Sequence, residues 1–247
     1  YSTYQLVEKH FKITKHTTLD IKEGKRTGLM IAQISDSHFS PFYSPKRFDK
    51  IVEKLNAAKP DIVLFTGDLI ENYRYWETRD CEIISQQLTK ITAPKGKFAI
   101  LGNHDYRSNG QDAVSEILAA GGFVLLNNQS TLVEQISLTG IDDGQEGQPD
   151  YNTQPKDARF SILMVHEPDQ VQHLSDLDRF DLILSGHSHG GQIRFPILPY
   201  KNFGSKLYDQ GIYALTSQTS LVVNTGLGTT GPPLRFRVIP EILYFHL

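Results

Sequence analysis

At 247 residues, 39% of them hydrophobic and 21% charged, the chain carries enough apolar side chain for one large packed core and lies far from the composition of disordered chains. Its net charge of -3 is spread along the chain without a basic run able to track a phosphate backbone, which excludes nucleic acid as the default partner. A single cysteine, Cys81, excludes an intrachain disulfide and a thiolate metal cluster, and no stretch reaches the roughly 18 to 20 apolar residues that span a bilayer.

In chain order, residues 1–28 alternate apolar and polar side chains (Tyr4, Leu6, Val7, then Phe11 and Ile13), as an N-terminal edge strand or hairpin does. The sequence starts on Tyr1 instead of Met, from which a leading segment removed by processing or by choice of boundary is expected. Five short runs rich in Ile, Val, Leu and Phe follow, each stopping at a polar residue: 29–35 before Asp36, 61–67 before Asp68, 97–102 before Asn103, 161–165 before His166 and 181–186 before His187. Helical periodicity fills 45–58, roughly 76–91 and 111–120, so the early chain reads as βαβαβα with parallel strands. From Phe123 onward turn signals crowd together and the chain becomes richer in short strands. With no repeat or linker, residues 1–247 are expected to form one domain.

In open α/β sheets, ligands bind beyond the carboxyl ends of the strands, because the departing loops converge there. The five polar stops therefore gather Asp36, His38, Asp68, Asn103, His166, His187 and His189: two carboxylates, one amide oxygen and four imidazoles. Seven ligands are too many for one tetrahedral ion, and this mixture suits borderline divalent metals such as Mn, Fe, Co, Ni or Zn. Two ions about 3.5 to 4 Å apart need a bridging carboxylate and acidify a water held between them, and Asp68 is the natural bridge. Asp36 and His38 stand two apart on a chain leaving a strand, which turns both side chains toward one ion, and His187 and His189 repeat the spacing.

Asp-x-His at 36–38, Gly-Asp at 67–68, Gly-Asn-His-Asp at 102–105, His166 and Gly-His-x-His at 186–189 resemble, in order, the calcineurin-like metallophosphoesterase superfamily, over residues 29 to about 190. The resemblance implies an α/β fold, a four-layer α/β/β/α sandwich of two mixed sheets flanked by helices. It also implies an enzyme with two divalent ions, Mn, Zn or Fe. Asp36, His38 and His189 would hold the first ion, Asn103, His166 and His187 the second, with Asp68 shared. His104 would act as general acid or electrostatic stabiliser, oriented by Asp105. The reaction implied is in-line attack on phosphorus by a metal-bridging hydroxide, without a covalent enzyme intermediate.

Gly-His-Ser-His-Gly-Gly-Gln at 186–192, Ser-Pro-Phe-Tyr at 40–43 and Gly-Leu-Gly-Thr at 226–229 are similar to a bacterial branch of exported or membrane-anchored phosphoesterases. That branch includes cell-wall-associated enzymes and relatives that cleave the pyrophosphate of a nucleotide-linked lipid A precursor. Its usual closing Asn-Arg-Gly is Asn224-Thr225-Gly226 here. The resemblance implies hydrolysis of phosphodiester or pyrophosphate bonds in a small-molecule or lipid-linked phosphate ester tied to the envelope. It also implies an extracytoplasmic place at membrane or cell wall, the alternative being cytoplasmic. A phosphomonoesterase and a non-catalytic scaffold on the same fold are the competing readings.

Outside the motifs, His10, His16, His173 and His246 stand apart from the strand ends. Two aromatic clusters, Tyr73, Tyr75 and Trp76, and Tyr200, Phe203 and Tyr208, read either as core packing or as a lip for an apolar or sugar portion of substrate. Asp142 and Asp143 read as turn residues, with an outer carboxylate pair as the alternative. Arg107 reads as a solvated loop cation or as a phosphate contact.

Overall fold

The strands build two mixed β-sheets in the computed structural model, which describes residues 6–14, 17–21, 28–194 and 202–247. The first sheet runs β2 (Thr17–Ile21), β1 (Val7–Thr14), β13 (Glu241–His246), β3 (Met30–Ile34), β4 (Ile62–Thr66), β5 (Lys97–Ile100) and β6 (Phe123–Leu125). From β3 to β6 neighbours are parallel, while β13 pairs antiparallel with β3 and parallel with β1, and β1 turns back on β2. The second sheet runs β11 (Gly211–Ala214), β12 (Ser220–Val223), β10 (Leu182–Ser185), β9 (Phe160–Met164), β8 (Ile136–Gly140) and β7 (Gln129–Val133), parallel from β12 to β8 and antiparallel at both edges.

Strands buried on both faces explain the near-continuous apolar runs, since successive side chains point to opposite sides and both sides are covered. Between the sheets, Ile31, Ile62, Leu64 and Ile100 meet Leu138, Ile162, Met164 and Leu184. On the outer face of the first sheet, Ala32, Ile34, Val63 and Phe65 pack under α1 (Asp49–Ala58), α2 (Glu82–Thr89) and α4 (Gln111–Ala120), which contribute Ile51, Leu55, Ile84, Leu88, Val114 and Leu118. The outer face of the second sheet, with Leu163, Val165, Ile183 and Leu221, is covered by the 3-10 helix Pro168–His173 through Val171 and by Leu174 and Phe180. Each such side chain contributes roughly 1.5–3 kcal/mol on full burial. The layers are thus helix, sheet, sheet, helix.

The first two helices differ from their sequence reading at their starts, whereas α4 matches it. The 45–58 segment opens as a 3-10 turn led by Pro45 before α1, and ends where Lys59 takes a left-handed φ of 57° ahead of Pro60. Over 76–91 only Glu82–Thr89 is α-helical: Asp80 Oδ1 accepts from Glu82 N at 2.8 Å, an Asp turn that delays the helix. Asn103–Tyr106 forms a one-turn helix, α3, directly after β5. Among the described residues, no helix is long and apolar enough to cross a membrane.

Candidate metal centre

Five parallel strands, three from one sheet and two from the other, aim their carboxyl ends at a single rim. Asp36 and His38 follow β3, Asp68 follows β4, Asn103 and His104 open α3 after β5, His166 follows β9, and His187 and His189 follow β10. All seven expected ligands are brought together there, every one of them buried. Two glycines make this approach feasible. A Cβ on Gly67, whose φ is +94°, would sit 2.5 Å from His166 Nδ1 and 2.8 Å from the Gly102 amide, and one on Gly186 would strike Ser35 Oγ and Asp36 Oδ2.

Asp36, His38 and His189 form one triad and Asp68, His166 and His187 another, each with side-chain nitrogen and oxygen atoms close enough to share an ion. His189 Nε2 stands 2.8 Å from His38 Nε2 and 3.5 Å from Asp36 Oδ1. Asp68 lies between the triads, its Oδ2 3.4 Å from His38 Nε2 and 3.2 Å from His166 Nε2. Asn103, the amide expected with the second group, places Oδ1 3.1 Å from His187 Nδ1. A further grouping of His38, Asp68 and His104 is equally close.

The donor set fits divalent ions on its own hydrogen bonding. His166 Nδ1 is 2.7 Å from the Thr66 carbonyl, an arrangement that places its proton there, and the buried Nε2 facing Asp68 has no aligned hydrogen-bond partner. His187 Nε2 is 2.6 Å from the Phe203 carbonyl, which leaves Nδ1 bare toward Asn103 Oδ1. Outward nitrogens tied to carbonyls and inward nitrogens without protons are the arrangement that orients imidazole ligands.

Electrostatics point the same way. Burial works against the charge of Asp36, but the nearby imidazoles of His189, His38 and His166 hold it well below the carboxylate range. Asp68 is likewise held down against burial by His166 and His104. His38, although buried, is pushed up to about 10 by the nearby carboxylates of Asp36, Glu71 and Asp68, and His166 is raised by Asp68. His187 is brought down to about 4 by burial and then by the His166 charge, and His189 is lowered by burial, with His38 and Arg235 adding to it. A field that favours positive charge at His38 and His166 is one a divalent ion can satisfy in place of those protons, and His187 and His189 already favour the neutral form that ligates.

Two residues join the site that the motifs do not contain. Glu71 Oε2 lies 2.8 Å from His38 Nδ1 and 3.2 Å from His104 Nδ1, and the Glu71 carbonyl is 2.9 Å from the same His104 nitrogen. Both histidines therefore lean on Glu71. Its only sequence signal is an acid three residues beyond Asp68. Arg235 reaches back to within 3.1 Å of His189 Nδ1 and donates to the carbonyls of Thr225 and Gly226, so a cation does reach the segment that carries Thr225.

Asp105 differs from the role expected of it. Its carboxylate accepts from the backbone N–H groups of Asp68, Leu69, Ile70 and Gly102 at 2.8–3.2 Å, and the groups at His104 Nδ1 are Glu71 and Arg107, the latter at 2.7 Å. Asp105 fixes the loop that presents Asp68; Glu71 faces His104. Asp142 accepts from Asn127, Gln148 N and Asp143 N, which is turn chemistry. Trp76 is buried and donates to the Phe39 carbonyl at 3.1 Å, Tyr73 and Tyr75 pack on the same core, and Tyr208 packs on Tyr213. Phe203, 70% exposed, lines the hollow at the site, whereas Tyr200 and His16 lie outside the described residues. His10 and His246 contact each other across the first sheet, and His173 packs on Tyr151.

Carboxylates, imidazoles and an amide gathered at the strand ends of two facing sheets define a metal-dependent phosphoester hydrolase. The chain belongs to the calcineurin-like phosphoesterase family, whose model matches residues 29–191. It is 38% identical to the metallophosphoesterase YkuE of Bacillus subtilis over 89% of this chain and 79% of that one. It is 30% identical to the UDP-2,3-diacylglucosamine pyrophosphatase LpxG of Chlamydia trachomatis over 87% of this chain and 82% of that one. A dimetal phosphatase from Danio rerio shares the fold, with a TM-score of 0.53 at 10% identity over 83% of this chain and 89% of that one.

Proposed function

We propose that the chain hydrolyses a phosphodiester or pyrophosphate bond in a small-molecule or lipid-linked ester of the bacterial envelope, using two divalent ions, Mn, Zn or Fe. The observation that carries this reading is the position of Asp68 Oδ2, within 3.4 Å of one imidazole from each triad. Asp36, His38 and His189 would hold one ion, Asn103, His166 and His187 the other, and Asp68 both. Such a pair acidifies a water and neutralises the oxygens of a phosphate.

The protein's own groups do the rest. His104 borders a hollow of about 580 Å³ together with Arg107, Gln145, Ile193, Phe203 and Pro232. His104 would protonate the leaving oxygen, a role worth roughly 10²- to 10⁴-fold in rate, with Glu71 holding its ring. Arg107 would meet a non-bridging oxygen. The hollow's lining mixes apolar side chains (Ile193, Phe203, Pro232) with polar ones (Arg107, Gln145, Asn202), which suits a phosphorus with two substituents, a diester or anhydride. Likeness to a pyrophosphatase of a diacylated sugar nucleotide supports a lipid-linked substrate.

The test is turnover of bis-(p-nitrophenyl) phosphate, p-nitrophenyl phosphate and a nucleotide-linked pyrophosphate after loading with Mn, Zn or Fe, with ions counted per chain. Two ions and faster diester or anhydride cleavage are expected. A monoester preference, or two ions retained in Asp68→Ala, overturns the reading. His104→Asn is expected to keep both ions and to lose rate most on esters with poor leaving groups.

A further inference from the structure

Beside the metal centre lies a second hollow of about 720 Å³, built from segments the ligands do not use: residues 42–50 past His38 and residues 229–240. The two hollows share a wall. Thr230, Gly231 and Pro232 face the metal centre, while Thr229, Pro233 and Leu234 face the other side. That wall is pinned to the catalytic rim. Gln192 Nε2 donates to the carbonyls of Thr230 and Pro232 at 2.8 and 3.1 Å, its Oε1 accepts from Thr230 N at 2.9 Å, and Arg235 connects the wall to His189.

The second hollow has a one-sided charge. Lys46, Arg47, Lys50 and Arg237 are exposed around it, no Asp or Glu lines it, and among the described residues none of the four is in an ion pair. Asp49, between these cations in sequence, is drawn away to Lys90 at 3.1 Å. Large apolar side chains stand among them: Phe42 is 62% exposed, Leu234 51% and Ile239 42%, and the Arg237 guanidinium lies over the Phe236 ring at 5.5 Å.

Unpaired cations alone suit any polyanion, and exposed apolar groups alone suit any greasy groove. Interleaved on one face they match the headgroup layer of an anionic bilayer, where apolar tips enter the acyl boundary and cations stay at the level of the phosphates. The geometry points to a docking face for anionic lipid bilayers, formed by Phe42, Lys46, Arg47, Lys50, Leu234 and Arg237. Because the pinned wall joins this face to the metal-centre hollow, docking sets the mouth of that hollow beside the lipid phosphates. The assignment rests on the envelope reading above for its biological sense, but vesicle binding needs no turnover and is measured separately.

The experiment is flotation of the metal-loaded full chain with vesicles of phosphatidylglycerol and phosphatidylcholine, against pure phosphatidylcholine, over a range of salt. Binding to the anionic vesicles alone, weakening as salt rises, is expected. K46E/R47E/K50E should lower that partition by on the order of 100-fold. F42S/L234S should leave a weaker binding that salt abolishes more readily. Both variants should keep the circular dichroism spectrum and the turnover of soluble bis-(p-nitrophenyl) phosphate. Equal binding to neutral vesicles, unchanged binding in K46E/R47E/K50E, or tighter capture by a poly-glutamate peptide than by anionic vesicles overturns the docking face. Vesicle binding without phosphoester turnover leaves the face standing and sinks the enzymatic reading.

Discussion

Asp105→Asn isolates what holds the loop beneath the metal centre. In the wild type, Oδ1 accepts from Leu69 N at 2.8 Å and Ile70 N at 3.2 Å, and Oδ2 from Asp68 N at 2.9 Å and Gly102 N at 3.0 Å. An amide offers only one oxygen, so whichever way it turns, its NH₂ group faces two buried backbone donors. Each buried donor left without an acceptor costs about 1–3 kcal/mol, which makes about 2–6 kcal/mol for the pair. That is a large share of the roughly 5–15 kcal/mol of net stability typical of a domain. Burial, and then the Asp68 charge, push the Asp105 carboxyl up to about 7, so the comparison belongs well above that pH, where the wild type is ionised. The assay is urea unfolding of wild type and variant, with a lower midpoint and an unchanged slope expected. If the midpoint stays at the wild-type value while turnover of poor leaving groups collapses, Asp105 acts by orienting His104, and the backbone argument is wrong.

Glu71→Gln withdraws the charge facing His38 and His104 while keeping the side chain's shape. A loss of about 10- to 100-fold in metal affinity or turnover is expected, and unchanged ion binding and kcat/KM would remove Glu71 from the site. Burial and the nearby Glu167 charge push the Asp143 carboxyl from its ordinary 3.8 up to about 8. A raised folded value means the protonated form favours the fold: that contribution is whole below about pH 4, declines as pH rises and is gone by about pH 8. Asp143→Asn should flatten the decline in urea midpoints of the metal-free protein between these limits, and an unaltered pH profile would refute the assignment. Loading with ions at about 100 times their Kd should stabilise the fold by about 2.7 kcal/mol per site. Chelation should therefore lower Tm, and a Tm indifferent to ion concentration would contradict ion binding at the buried cluster.

Strands and strand ends were legible because β3, β4, β9 and β10 are buried on both faces, so an apolar run and its polar stop mark where each strand leaves the sheet. The α4 boundaries were equally plain, framed by Gly110 and Gly121. The late start of α2 was not, since it depends on whether Asp80 bonds ahead of the helix or faces solvent. The gathering of the seven predicted ligands followed from one topological rule. Glu71 escaped it because its aim is set by the bridge between Phe39 and Ile70, a pairing of two loops that no local pattern announces. The partners of Asp105 are backbone N–H groups, which every sequence contains and none advertises.

The spacing of two in Asp36-x-His38 and His187-x-His189 also works for a reason other than the one the sequence suggests. An extended chain puts alternate side chains on one side, but here all four residues, and Asp68 with them, have φ between 46° and 64°. The chain leaves these strands through left-handed residues, coiling so that Asp36 and His38 turn to one triad, while His189 turns to that triad and His187 to the adjacent one. Each non-glycine residue held there costs about 1 kcal/mol or more, and stability alone would favour glycine at every one. The loops are clamped by one another instead: Asp36 N donates to Gly67 O, His38 N to Asp68 O, and Gly228 N to Asp36 O, at 2.7–3.1 Å. Glycine stands at Gly67 and Gly186, immediately before Asp68 and His187, where a Cβ would collide with the site. At these strand ends strain falls on positions whose side chains the cluster needs, and glycine stands where a Cβ would collide with it. That division is what a binding site, as opposed to a connecting turn, requires of its backbone.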